Sequence, residues 1–340
     1  MPIDADGRAA TARCFRLAFA IGLATFAAYG LALPLGYLLP LLTLALLAVP
    51  MPPPPPRAAL LLVIITLVTA LYGLLLGPVL VYVRPAGVML SLAGVALAVV
   101  IGARPGRAII GALTILSSTI IAVVAAQSSA AAVTLVKLLV GVICGAIVIA
   151  HLAHALFPEP PGAAVPAPPP PPADVGWVAV RAALIMLPPL VLALANPGAY
   201  LMLLFKGASL AQQAEGSTTR QMARETVSAT AAGGAAALIF WNVLQLWPGL
   251  LLLCLGMALA TLIMARPLYG AVPSRWPRDW WQFALTTMIL LLGPAVADSA
   301  SADNIQRAML VRLATFVALG IYATLAVYLL DRLRARPALA

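Results

Sequence analysis

Charge is what this chain has least of. Only 9% of its 340 residues are charged and just ten are acidic, against about 25% charged in soluble domains. Hydrophobic residues make up 63%. No water-solvated core can hide that much apolar surface, so lipid solvates most of the chain. The three cysteines, Cys14, Cys144 and Cys254, lie far apart within or beside apolar stretches, a spacing that offers neither a metal-ligand set nor a disulfide framework. No glycine-rich loop ending in Lys-Ser or Lys-Thr is present, which excludes nucleotide hydrolysis by this chain. Neither a Ser-His-Asp nor a Cys-His arrangement has supporting context. No cofactor and no metal are expected. The net charge of +10 does not indicate a nucleic-acid binder, because the arginines gather at the ends of apolar segments, where they orient a membrane protein.

What the chain does have is a pattern of apolar runs written twice. Arg16-Leu17-Ala18 opens one copy and Arg181-Ala182-Ala183 the other. Leu135-Val136-Lys137-Leu138 with Gly145 is matched by Leu310-Val311-Arg312-Leu313 with Gly320. The runs fall near 15–33, 35–50, 57–77, 86–103, 107–126 and 132–156, then 177–195, 199–213, 223–246, 248–265, 280–297 and 305–330. The second and eighth are short for a bilayer crossing. Each follows a Pro-Gly break (Pro34-Leu35-Gly36, Asn196-Pro197-Gly198), so each either crosses a thinned region or lines a cavity as a broken element.

These runs predict an all-α, polytopic inner-membrane protein with about 12 transmembrane helices, arranged as two parallel six-helix repeats. Residues 1–157 form the first repeat, 158–175 a proline-rich cytoplasmic linker and 176–340 the second repeat. The N-terminal arginines before an apolar run resemble a secretory signal, but the run continues past Pro34 and reads as a retained first helix. Arginines such as Arg57, Arg104, Arg181, Arg224, Arg266, Arg278 and Arg332 fall on one side, with little beyond Arg84 and Arg307 on the other. That bias puts both termini in the cytoplasm of a bacterial cell. The prolines at 52–56 and 158–172 read as stiff extended spacers, the alternative being a recruitment site for a proline-reading domain.

Few residues stand out as chemistry. Lys137 and Arg312 occupy matching places in the sixth and twelfth runs, and Lys206 lies inside the short eighth. A cation in hydrocarbon costs about 2.5–3.5 kcal/mol on insertion scales, so each faces a wet cavity or a partner, or snorkels to the interface. Acids to neutralise them are scarce: Asp298 and Asp303 on the outer side, Glu215 and Glu225 on the inner. Surplus fixed positive charge along a pathway favours an anionic cargo. His151 and His154, one helical turn apart, are candidates for proton coupling together with Asp298, or are simply interfacial polar residues. Thr114 and Thr286 fall at equivalent places in the two copies and are candidates to line the repeat interface; the default for such hydroxyls is to lock helices together. Trp276, Trp280 and Trp281 with Arg275 and Arg278 read as an interfacial belt.

Several strings carry a more specific resemblance. They are Arg16-Leu17-Ala18-Phe19-Ala20, Leu33-Pro34-Leu35-Gly36-Tyr37-Leu38-Leu39-Pro40, and Pro50-Met51 with its proline run. With them go Leu152-Ala153-His154-Ala155-Leu156-Phe157-Pro158, Leu285-Thr286-Thr287 with Leu290-Leu291-Leu292-Gly293, and Leu329-Leu330-Asp331-Arg332-Leu333. Together they resemble the fusaric acid resistance and aromatic acid exporter superfamily, in its compact branch of unknown function. The resemblance implies inner-membrane efflux of aromatic carboxylates or related toxic compounds. It also implies a periplasmic membrane fusion adaptor as partner, and sometimes an outer-membrane channel. Larger relatives carry a cytoplasmic domain where this chain has its proline linker.

The expectation is therefore a proton-gradient-driven efflux permease for organic anions, not an enzyme, with substrate met by Lys137, Lys206, Arg312, Thr114 and Thr286. It is expected to form a homodimer in the lipid bilayer. A passive organic-anion channel, a membrane-embedded lipid-modifying enzyme using His151 and His154, and a non-transporting scaffold for an adaptor are the alternatives.

Overall fold

The fold was read from a computed structural model that describes residues 5–104, 106–160, 174–213, 219–298 and 305–335. These residues form twelve helical segments and no strand. We number them α1 (Ala5–Gly30), α2 (Leu38–Leu47), α3 (Pro56–Tyr82), α4 (Arg84–Gly102), α5 (Ala108–Gln127), α6 (Ser129–Leu156), α7 (Val175–Ala195), α8 (Pro197–Gln213), α9 (Thr219–Leu246), α10 (Leu250–Leu268), α11 (Arg278–Asp298) and α12 (Ile305–Ala335). Ten are long and apolar enough to cross a membrane; α2, with ten residues, is not. The chain is a polytopic helical membrane protein.

Local chemistry accounts for the breaks. Proline at the head of α3, α4 and α8 fits the first turn, where its missing N–H costs nothing. The Asp174 carboxylate caps α7 by accepting from the Trp177 backbone N–H at 3.0 Å. Between α1 and α2 the chain turns through Ala32 and Leu35, both at positive φ (49° and 52°), which brings Tyr37 back over α1. Within α5, Ser117–Ile121 forms a π-helical turn. Outward faces are apolar: on α10, Leu251, Leu255, Leu259 and Ile263 form an exposed stripe at four-residue spacing, which lipid covers.

The chain packs as two compact units, and each draws on both sequence halves. The first comprises Met1–Leu60, Gly141–Ala167 and Ser228–Leu313. In it α1 lies along α10, α2 packs on α1 and α11, and α11 packs on α10. A Cβ added at Gly22 would stand 3.1 Å from the Ala258 Cβ, so small residues let α1 and α10 approach closely. The second unit comprises Leu61–Val140, Pro168–Val227 and Ala314–Ala340. In it α7 lies along α4, α8 packs on α7, and α5 packs on α4 and α8.

A candidate anion site at one end of the first unit

Four helix ends of the first unit converge on a basic cluster. Arg13 and Arg16, one turn apart on α1, are both buried. Arg13 Nε donates to Glu159 Oε1 at 2.5 Å, and Arg16 Nη2 approaches Glu159 Oε2 at 2.9 Å. Arg16 Nε and Nη2 also donate to the Phe157 carbonyl at 3.0 and 2.7 Å. The Phe157 ring is held by Phe15 and Phe19, with centroids 6.3 and 5.9 Å away. Opposite, Arg278 Nη2 donates to Ala48 O at 2.5 Å and its guanidinium lies 5.5 Å from the Tyr269 ring centroid. The Tyr269 hydroxyl donates to Leu47 O at 2.7 Å. The last turns of α2 and α6 and the segments after them are thus fixed by side chains from α1, α11 and the α10–α11 connection.

This end carries more positive than negative charge among the described residues. Arg13, Arg16 and Arg278 are drawn inward and Arg266 sits exposed nearby; against them stand Glu159 and Asp279. Burial pushes the Glu159 carboxyl up, but the hydrogen bonds and charges of Arg13 and Arg16 outweigh that and hold it below its ordinary value. The sign for stability follows: this contribution is complete above the unfolded carboxyl value of about 4.3. It drains away as pH falls through the lower folded value. Thermal unfolding in detergent should therefore show an acid-side loss in the wild type that is smaller in Glu159→Gln. Equal pH profiles would remove Glu159 from the ion-pair account.

Further along α1, Thr25 and Tyr29 face Tyr37, Met257 and Gly293 around a cavity of ≈ 10 Å³, room for about one water. The Tyr29 hydroxyl donates to Gly293 O at 3.2 Å. Arg16 lies about 14–20 Å down the helix from these residues, at 1.5 Å per residue.

At the end of the second unit where α7 begins, each acid is paired with an arginine, and Arg332 is exposed beside them. Arg181 pairs with Asp331, Arg334 Nη2 meets Asp174 Oδ2 at 2.6 Å, and both guanidiniums flank the Trp177 ring. The second unit also holds a hydroxyl-rich seam. Ser117 Oγ donates to Thr69 Oγ1 at 3.1 Å, the Tyr72 hydroxyl donates to Leu90 O at 2.7 Å, and Ser91, Ser118 and Thr119 are fully buried.

The residues singled out from sequence are spread over the molecule. Lys206 is completely buried, its Nζ 5.9 Å from the Phe316 ring centroid. Lys137 is exposed on α6, so the two lysines of the second unit do not share an environment. Arg312, half-buried, belongs to the first unit. Thr114 spends its hydroxyl on Ile110 O of its own helix at 2.8 Å, and Thr286 is half-buried on α11.

Thr114 and Thr286 each lie near a close helix approach. Gly73 abuts Ser117 in one half and Gly233 abuts Ala284 in the other. Thr114 precedes the first contact and Thr286 follows the second. His151 and His154 each bond a carbonyl one turn back, Ile147 O and Ala150 O, both at 2.8 Å. His154 lines the basic cluster while His151 is exposed. No group of three potential metal ligands occurs among the described residues. Asp298 closes α11 with its side chain outside the described residues, as are Glu215 and Asp303 and most of the proline linker.

Sequence reading missed Glu159, hidden between two prolines, and took Arg13, Arg16 and Arg278 for orientation signals only. Two cations clasping one acid from a distant helix end, with Arg278 bound to other groups nearby, had no local pattern to reveal them. Residues 13–153, from α1 to near the end of α6, match the family described as a protein of unknown function (DUF2955). No curated protein and no solved structure matches the chain.

Proposed function

We propose that this chain is an efflux permease of the bacterial inner membrane that exports organic anions, aromatic carboxylates foremost. The single observation that carries this reading is the surplus of inward-drawn guanidinium groups at one end of the first unit. In a low-dielectric setting, a net positive charge attracts an anion far more strongly than it would in water. The resemblance to aromatic acid exporters agrees with that chemistry, and the family match spans Arg13 and Arg16.

On this reading the basic end faces the cytoplasm and collects the anion, and Thr25, Tyr29 and Tyr37 line a deeper station. That station is closed here, so α2 or α11 must shift before a ring passes. Pairing α1 with α10 and α7 with α4 sets the opening helix of each half on the fourth helix of the other. That supports an internal duplication of two six-helix repeats, joined by the linker at 158–175. Energy comes from the proton gradient, with His154 better placed than His151 to respond to it. A periplasmic adaptor and a homodimer complete the proposed assembly. A lipid-modifying enzyme is disfavoured because the two histidines do not converge.

Purified protein in liposomes loaded with benzoate tests the proposal. Benzoate should move when a proton gradient is imposed and stop when a protonophore collapses it; flux that persists down the benzoate gradient alone would mean a channel. Lys206→Met should lower flux about tenfold, roughly 1.4 kcal/mol of barrier, without loss of folded protein. Unchanged flux would make Lys206 a packing residue. No flux of any carboxylate under either condition ends the transport reading.

A further inference from the structure

We infer that Glu159 is a tethered stand-in for the cargo, its carboxylate seated in the Arg13–Arg16 clamp that a substrate carboxylate must take over. The inference rests on the anion-transport reading and adds to it a binding subsite and its resting occupant.

The clamp has the geometry of a carboxylate receptor. Two guanidiniums one helical turn apart each take one oxygen of the same carboxylate, charge-assisted contacts about twice as strong as neutral hydrogen bonds. Both arginines are buried, while the Glu159 side chain is a third exposed. The receptor is therefore built into the helix packing, and its occupant reaches in from outside.

Glu159 is also mounted so that it can leave. It stands beyond the end of α6, in non-helical chain between Pro158 and Pro160. Phe157 just before it is anchored independently, by its carbonyl on Arg16 and its ring between Phe15 and Phe19. Glu159 can swing into water without unwinding α6. The second unit is the contrast: Asp331, which pairs with Arg181, lies inside α12 and has no such freedom.

Beside the clamp, Leu17, Leu47, Met51, His154 and Tyr269 wall a space with no room for a water. Arg13, Arg16 and His154 make the exposed wall more polar than apolar, and the space must open before it takes the body of an organic acid.

Binding of benzoate to the full-length protein in detergent tests this, with benzamide as the uncharged control. Glu159→Gln removes the competing charge and should tighten benzoate at least tenfold while leaving benzamide unchanged. Glu159→Asp keeps the charge one methylene shorter, retains a partner for the arginines, and should give an intermediate affinity. Benzoate affinity equal to or weaker than wild type in both variants, with wild type still binding and moving benzoate, overturns the stand-in role and leaves transport intact. If folded wild type and both variants neither bind nor move any carboxylate of a panel, the stand-in role and the transport reading fall together.

Discussion

Arg16→Gln should abolish anion export and cost about 2–4 kcal/mol of stability, the effect of taking one partner from a buried hydrogen-bonded pair. Arg16 is 4% exposed and serves two acceptors: the Phe157 carbonyl, through two donors, and Glu159. Glutamine keeps much of the volume but loses the charge and the planar fork. It leaves the end of α6 unpinned and the cluster one cation poorer. Arg16→Lys restores charge without the fork and should recover only part of the export.

The discriminating control is Arg181→Gln. Arg181 opens the second apolar copy as Arg16 opens the first, but it has an acid to itself in Asp331, and the neighbouring Arg334 has Asp174. Its loss should lower the unfolding temperature while export per folded molecule stays within about twofold, under 0.5 kcal/mol of barrier. Flux in liposomes, normalised to folded protein, separates the two. If both variants lose export equally, surplus charge is not what the first unit contributes. If neither does, the basic cluster is structural.

These expectations could not have come from sequence alone. The apolar runs located all twelve segments to within a few residues at most ends, because a bilayer imposes length and composition on any helix crossing it. Even the two short segments were visible, from the Pro-Gly breaks before them. Side-chain convergence was not. Arg13 and Arg16 look like ordinary positive-inside residues until α6 delivers Glu159 to them from more than a hundred residues away. Lys137 and Lys206 look alike in a hydropathy plot, yet one is exposed and the other fully enclosed. Depth along a helix can be read from spacing; the direction a side chain faces in an apolar segment cannot, since lipid-facing and protein-facing positions are equally hydrophobic. The π turn at Ser117–Ile121 had no sequence signal either.

Gly73→Ala and Gly233→Ala should each destabilise the protein by about 3 kcal/mol, the upper range for forcing atoms into a packed interior. A Cβ at Gly73 would stand 2.2 Å from the Ser117 carbonyl oxygen, and one at Gly233 would stand 2.2 Å from the Ala284 carbonyl oxygen. Neither neighbour can rotate away, because each is the backbone of a buried helix. The helices would have to separate, losing the dispersion contacts that hold apolar segments together where no hydrophobic force acts between them. Gly141→Ala is the control: a Cβ there meets nothing within 4 Å, and alanine favours the helix by about 0.8–1.0 kcal/mol. Unfolding midpoints in detergent should therefore drop together for the first two variants and hold or rise for the third. The shared penalty matters beyond stability, because the two contacts join the third and fifth helices of each half in the same way. If Gly73→Ala is severe and Gly233→Ala is silent, the two halves are not built alike and the duplication loses its best local support. If both behave like Gly141→Ala, the close helix approaches themselves are wrong.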